Sequence, residues 1–508
     1  MKKVGKYVII SLLLLLGLCC VGILYLFFVP NSTLFNITYI NHHKTIKSEK
    51  FNVSAISKID VNSRSYDVKI LPTDTEYVYS KVYSNSFGFV LKKNSTISVE
   101  TSVSNNVLTI NVIEPHGFAT KNDSYIEIYV PESNPLDLEL CNYKAKTIID
   151  GENIQINNLS YSTTNGDFDF NNGEIKGSLN LDIEKSTFTI EKNVKTYSNN
   201  VKLGTTKGKF IASSSKLGDV TISKNTHGVI SINECAVLSQ DIESAGGSIS
   251  IEKALRLIIS TSDTNISVNE ISNGASIILT QSGKVHIKNL SGYSTIHTNS
   301  ANVQIDNCNN EVIVHTTSGN ITINNAFKTV RIKTDSGNAV VNFSKSASNY
   351  TNADGEKSRT LYATIANGTL SATGVQHIGV PNTNADETIT GITITGGGSV
   401  NLNMGDVLGK NQINGNNGNV SVLVNDNSQY VLSTHTNTGN VRVNLLQIPQ
   451  SGGYTDKNHE PVYVNCSPCS TCDNCKSNKP CENLSNLTMN TTNGNLLVLD
   501  QSMYNYGF

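Results

Sequence analysis

Charge is what this 508-residue chain has least of. Asp, Glu, Lys and Arg make up only 16 % of it, against roughly 25 % in typical soluble domains. They nearly cancel, to a formal net charge of −2. Such a balance gives no bulk electrostatic pull on nucleic acid or on anionic lipid, so nucleic acid is not expected as a partner. Trp is absent and Pro numbers only 10. The signatures of catalysis are missing too. There is no zinc-protease His-Glu motif, no Gly-rich phosphate loop with its Lys, and no nucleophile elbow. Asp167 and Asp169 come nearest to an acid pair, and they read as ordinary outward residues of a strand. The expectation is a protein that is not an enzyme. A polysaccharide-active β-helix enzyme is the catalytic alternative, and it needs a cluster of acids on one face.

The polar content is uncharged instead: Asn, Ser, Thr and 37 Gly. These residues suit turns and polar strand faces that hydrogen-bond along stacked rungs. The length exceeds one ordinary globular core unless the chain is built from repeats. The many Asn-x-Ser/Thr triplets, such as those at Asn36, Asn94, Asn320 and Asn367, are what this composition yields by chance.

One long apolar run stands at the N-terminus. Lys2, Lys3 and Lys6 precede an unbroken stretch from Tyr7 to Val29, and no Lys or Arg follows until Lys44. That run is long enough to cross a hydrocarbon core of roughly 30 Å as a helix. It is too long for a typical signal-peptide core, and no small-x-small cleavage site follows it. The positive-inside rule places residues 1–6 in the cytoplasm and the bulk of the chain outside. A cleaved signal peptide is the alternative. Leu16-Gly17-Leu18-Cys19 is a poor lipobox, so Cys19 and Cys20 read as membrane-embedded residues.

Beyond residue 50 helical periodicity is nearly absent. Apolar and polar residues alternate, as in half-buried strands. Ile59-Asp-Val61, Leu108-Thr-Ile110-Asn-Val112 and Ile126-Glu-Ile128-Tyr-Val130 show it, and Pro131 closes the last because proline cannot donate to a ladder. Then comes a repeat with the consensus Thr-x-Ser/Asn-Gly-Asn-Ile-x-Ile. Its copies include Thr163 to Phe168, Thr316 to Ile323, Thr334 to Val341, Thr436 to Val443 and Thr491 to Val498. The glycine slot falls at Gly228, Gly247, Thr264, Gly283, Ala301, Gly319 and Gly337, a spacing of about 18 residues that later loosens. A fixed period of this size marks a solenoid, whereas a packed β-sandwich predicts none.

The expected fold is therefore all-β, a β-helix-like solenoid of about 18–20 residues per turn behind an N-terminal transmembrane helix. In each turn Val312, Val314, Ile321 and Ile323 point inward, while Thr, Asn and His take the outward slots. The glycine is expected to supply the permissive backbone of the bend. The segments read as cytoplasmic tail 1–6, membrane helix 7–29, spacer 30–50, lead-in β domain 51–150, solenoid 151–444, Cys-rich insertion 445–487, final repeat strand 488–500 and tail 501–508.

That insertion holds the densest chemistry: Cys466, Cys469, Cys472 and Cys475 at every third position, then Cys481. Four such thiols can wrap a soft metal such as zinc. A disulfide staple is the other main reading, natural in an oxidising compartment, and the odd fifth Cys could pair with Cys141, Cys235 or Cys308. Beyond this possible zinc, no cofactor is expected. His297 and His315 sit one period apart, with Lys333 next in line. An outward polar ladder is the plain reading of them and a metal pair the sharper one.

The lead-in strands, the IEIYVP segment from Ile126 to Pro131 and the Thr163 to Phe168 repeat together resemble the bacterial putative-adhesin family of β-strand-repeat surface proteins. The resemblance covers roughly residues 51–445. It implies an extracytoplasmic β-solenoid and brings no catalytic residues. The Cys-rich insertion departs from the family pattern. Function is accordingly expected to be adhesion or envelope contact through a glycan or protein surface, with the membrane as partner of the N-terminal helix. An envelope sensor or scaffold acting through membrane partners is the second expectation.

Overall fold

The structure is a computed structural model. It describes residues 2–29, 33–34, 37–91, 97–114, 117–132, 134–204, 208–240, 246–345, 359–380, 389, 391–404, 407–425, 430–445, 462–464 and 485–501. The chain divides into two compact units, Met1–Glu234 and Cys235–Phe508. Both are β-solenoid, as the period requires.

The first unit begins with the α-helix Lys2–Phe28. Within it Tyr7–Tyr25 is apolar enough to cross a membrane, with a mean hydropathy of 2.8. The solenoid follows, but its rungs do not stack in chain order. Lys58–Ser63 pairs in parallel with Val107–Ile113 on one side and Leu136–Asn142 on the other. Likewise Asp67–Thr73 lies between Tyr125–Pro131 and Thr147–Asp150. The later segment, residues 107–131, is thus the outer rung and the earlier one the second. Antiparallel strands then cover the exposed rung: Ser98–Ser104 lies on Val107–Ile113, and Tyr77–Leu91 lies on Tyr125–Pro131. Ile37–Asn52 in turn pairs antiparallel with Tyr77–Leu91. A bare rung would present a row of unpaired N–H and C=O groups, and this antiparallel cover removes it.

Two boundaries therefore differ from the sequence reading. Parallel stacking already begins at residue 58, inside the stretch read as a lead-in domain. Most of the stretch read as a spacer is the strand Ile37–Asn52. That strand is mostly polar, so it carries little periodic signal of its own; the ladder offered by Tyr77–Leu91 makes it a strand.

Inward from the cover, long bent strands stack in register: Phe168–Ile183, Thr187–Leu203 and Lys209–Asn225. Their alternate residues fill the core, where Phe168, Phe188 and Phe210 fall in one column. The rings of Phe168 and Phe188 stack at 4.3 Å between centroids, and Tyr161 packs 4.6 Å from Phe168. Each such buried ring or aliphatic side chain contributes roughly 1.5–3 kcal/mol of burial energy.

The second unit keeps the 18-residue register most strictly. Ile278, Ile296, Val314 and Ile332 form one inward column. Val285, Val303, Ile321 and Ala339 form another. All eight are at most 1 % exposed, and Val312 and Ile323 are fully buried with them. The outward slots bond rung to rung. Asn307 Nδ2 donates to Asn289 Oδ1 at 2.9 Å, and Asn325 Nδ2 to Asn307 Oδ1 at 3.0 Å.

The repeat motif has a structural meaning at each position. The threonine Oγ1 accepts the glycine N–H three residues on, at 2.8 Å for Thr316–Gly319 and 2.9 Å for Thr334–Gly337. The asparagine after the glycine accepts a backbone N–H from the next rung. Asn338 N donates to Asn320 Oδ1 at 3.0 Å, and Thr369 N to Asn338 Oδ1 at 3.0 Å. At Gly319 and Gly337 the glycine is required for a reason other than backbone freedom, whereas Gly247 in the same slot takes φ +112. Gly319 and Gly337 are not among the positive-φ glycines. Instead a Cβ on Gly337 would lie 2.0 Å from the Gly319 carbonyl oxygen, and one on Gly319 would lie 2.0 Å from that of Ala301. The rungs touch backbone to backbone at this corner. Where the slot holds Thr264, the next glycine, Gly283, takes φ +96.

Rung order is again broken at the C-terminal end. Lys410–Gly415 pairs with Ser485–Thr491, which pairs on its other side with Tyr430–Thr436. Val420–Val424, Leu496–Asp500 and Val441–Asn444 repeat the order. The last repeat is thus slotted between two earlier ones. Val462–Val464 lies antiparallel on Tyr430–Leu432, covering part of the final edge.

Candidate interaction faces

Cys466, Cys469, Cys472, Cys475 and Cys481 lie outside the described residues. They fall in the chain between Val441–Asn444 of the final rung and Ser485–Thr491 of the rung beside it. Of the other cysteines, Cys141 and Cys308 are free thiols. Burial pushes the Cys308 thiol up to about 12, and burial with the nearby Asp60 and Glu139 raises that of Cys141. Both shifts oppose thiolate formation and hence nucleophilic or redox chemistry at these two positions.

His297 and His315 stack in register, with Lys333 on the next rung, as their spacing predicts. Their rings meet edge to face at 4.5 Å between centroids. Burial, then the neighbouring His297 and Lys333, bring the His315 pKa down to about 4, and burial lowers that of His297. Two neutral imidazoles offer two donors at most. Among the described residues no group of three or more His, Cys, Asp or Glu gathers to hold a metal. Asp167 and Asp169 are both engaged structurally. Asp167 Oδ1 accepts the Thr187 N–H at 2.8 Å, and Asp169 pairs with Lys146 at 2.5 Å.

What sequence reasoning missed is a recess of about 530 Å³ in the first unit. It crosses successive corners of the stack, lined by Arg64, Asn142, Tyr143, Asp182, Glu184 and Lys224 among others. The buried Glu114 carboxylate accepts the backbone N–H groups of Arg64 and Tyr66 at 2.9 and 3.2 Å, so it fixes the turn that presents Arg64. The guanidinium stands 5.4 Å from the ring centroid of the exposed Tyr143. The recess thus combines an aromatic wall, both signs of charge and several amides and hydroxyls. Its residues are spread from 62 to 224, so no local motif announces it.

The outward face of the antiparallel cover is the second feature. Tyr83 and Tyr125 stack at 5.1 Å, Lys69 stands 4.6 Å from the Tyr125 ring, and Lys50 stands 3.6 Å from that of Tyr77. Toward the start of Ile37–Asn52 the same face turns apolar, with Phe87 and Leu91 exposed.

The match to a family model agrees with the β-solenoid architecture. A family model described as Toastrack DUF4097 matches residues 56–256, within the stretch whose motifs resemble the adhesin family. Among solved structures the chain is similar to a putative cell adhesion protein from Clostridium sporogenes ATCC 15579. That match has 13 % identity over 44 % of this chain and 100 % of the other, with a TM-score of 0.23. No curated protein matches the chain.

Proposed function

We propose that the protein is a membrane-anchored β-solenoid of the cell surface that acts by contact: an adhesin or envelope-contact protein without catalytic activity, held by the Tyr7–Tyr25 helix. The observation that carries this reading is the division of labour on the stack. The outward side chains of the regular repeat bond rung to rung, as in the Asn289–Asn307–Asn325 ladder. Ligand-sized relief is found in the recess beside Tyr143 and Arg64. Its mix of aromatic wall, charge and amides suits a glycan or a polar protein edge. No metal or cofactor is needed for such contact.

The test is display of the full chain on a non-adherent bacterium. Attachment is counted on surfaces coated with polysaccharides, matrix proteins or envelope polymers, and external protease reports exposure. The expected result is protease-sensitive attachment to at least one coating, reduced by Tyr143→Ala with Glu184→Gln. Attachment no better than that of undecorated cells on every coating overturns the reading.

A further inference from the structure

We propose that the end of the antiparallel sheet nearest the helix, built on the pairs Ile37–Leu91, Tyr39–Phe89 and Asn41–Phe87, is seated in the lipid interface. This rests on the anchored reading above and names a second, peripheral contact with the same membrane.

Four observations converge. First, the tip is tied to the bilayer by a short tether. Eight positions, 29 to 36, separate the helix end at Phe28 from Ile37, a reach of at most about 30 Å even fully extended. The helix also approaches Thr33–Leu34 and Ile37–Asn52 to within 8 Å between Cα atoms. Second, the tip is two-faced. Thr38, Ile40, Ser86 and Val90 are at most 5 % exposed on one face. On the other, Phe87 is 41 % and Leu91 43 % exposed, and the Tyr39 and Phe89 rings pair at 5.4 Å. Third, the apolar band has a defined height. From Phe87 to Leu91 it spans about 13 Å at about 3.3 Å per residue. It then stops at a polar cluster, where His43 meets Asn85 at 3.2 Å and the Tyr83 hydroxyl at 3.0 Å. Such a band matches the headgroup region and the edge of the hydrocarbon, each several Å deep. Fourth, the side chains are of the interfacial kind. Tyr7 opens the apolar run of the helix and Tyr25 lies near its far end, and aromatic rings concentrate at that level of a bilayer. A sheet tip docked in this way restrains the first unit against the membrane at two points, the helix and the tip.

The absence of Trp makes the test clean. The full chain carrying Phe87→Trp, and separately Leu91→Trp, is reconstituted in phosphatidylcholine vesicles with or without brominated acyl chains. Tyr197→Trp, on an exposed position of the same unit, is the water-facing control. Emission from the two tip variants is expected to be quenched by the brominated lipid and shielded from aqueous iodide, with the control showing the reverse. Iodide reaching both tip variants as readily as the control, in chains that float with the vesicles, overturns this proposal alone. Failure of the chain to float overturns the anchored reading and this proposal with it.

Discussion

Gly337 offers the sharpest test of how the rungs are held. In Gly337→Ala the new Cβ would lie 2.0 Å from the Gly319 carbonyl oxygen. Real Cβ contacts do not fall below 3.0 Å, so the two rungs must part by about 1 Å at that corner. The neighbouring ladder cannot follow without loss. Ile321 N donates to Asn338 O at 2.8 Å, and stretching that bond by about 1 Å takes it beyond hydrogen-bond range. Ile321 is buried while Asn338 is exposed, so losing that bond costs about 1 kcal/mol. Overpacking adds about 1–3 kcal/mol. The expected cost is therefore about 3 kcal/mol, concentrated in the rungs on either side because a solenoid transmits strain chiefly between neighbours. Hydrogen exchange resolved by peptide is the suitable assay. Protection should fall over residues 312–343 and stay unchanged in the first unit. Two comparisons sharpen it. Gly397→Ala, whose nearest atom would be 4.0 Å away, should cost nothing measurable. Gly337→Asn should be no better than Gly337→Ala, because the obstacle is the neighbouring carbonyl; if the glycine served a left-handed backbone, Asn would rescue. Wild-type protection in Gly337→Ala, or rescue by Asn, would refute the close-contact account.

Three further outcomes are expected. Phe188→Ala opens the ring column between Phe168 and Phe210 and should cost about 3–5 kcal/mol, seen as lost protection in the first unit only; Phe188→Leu should recover much of it. His315 titrates near 4 when folded against an ordinary 6.5. Its contribution is therefore complete above about 6.5 and is lost as the pH falls toward 4, since the unfolded chain binds the proton more readily; thermal scans of His315→Gln should show a shallower decline across that window. Arg331 is 7 % exposed, donates to Glu311 at 2.7 Å and to the Ile389 carbonyl at 2.6 Å, and lies 4.3 Å from the Tyr362 ring centroid. Arg331→Met should cost about 2 kcal/mol, a buried-pair loss reduced by the partial exposure of Glu311, and adding Glu311→Gln should recover part of it in urea unfolding.

The candidate faces were legible only in part. The His297–His315 stack was readable because one period separates them and the register is strict there. The recess beside Tyr143 was not, because its lining comes from corners of several rungs far apart in the chain. Nor was the apolar tip, since Phe87-Gly-Phe89-Val-Leu91 alternates like any half-buried strand and only the three-dimensional pairing shows which face stays uncovered.

The chain's own pattern determines the strands, the 18-residue period and the inward columns, because each depends on spacing within one turn. It determines the apolar helix for the same reason. Tertiary structure alone decided which rung lies beside which. Residues 107–131 stack outside 58–73, and residues 485–500 slip between 410–424 and 430–444. Every rung presents nearly the same alternation and the same Thr, Gly and Asn slots, so neighbours are locally interchangeable. The choice among them falls to loop reach and to covering the ends of the stack. Gly319 and Gly337 carry the same lesson: the sequence marked the position, and only the stacked backbones showed that at these two corners a carbonyl oxygen, not a left-handed turn, leaves no room for a side chain.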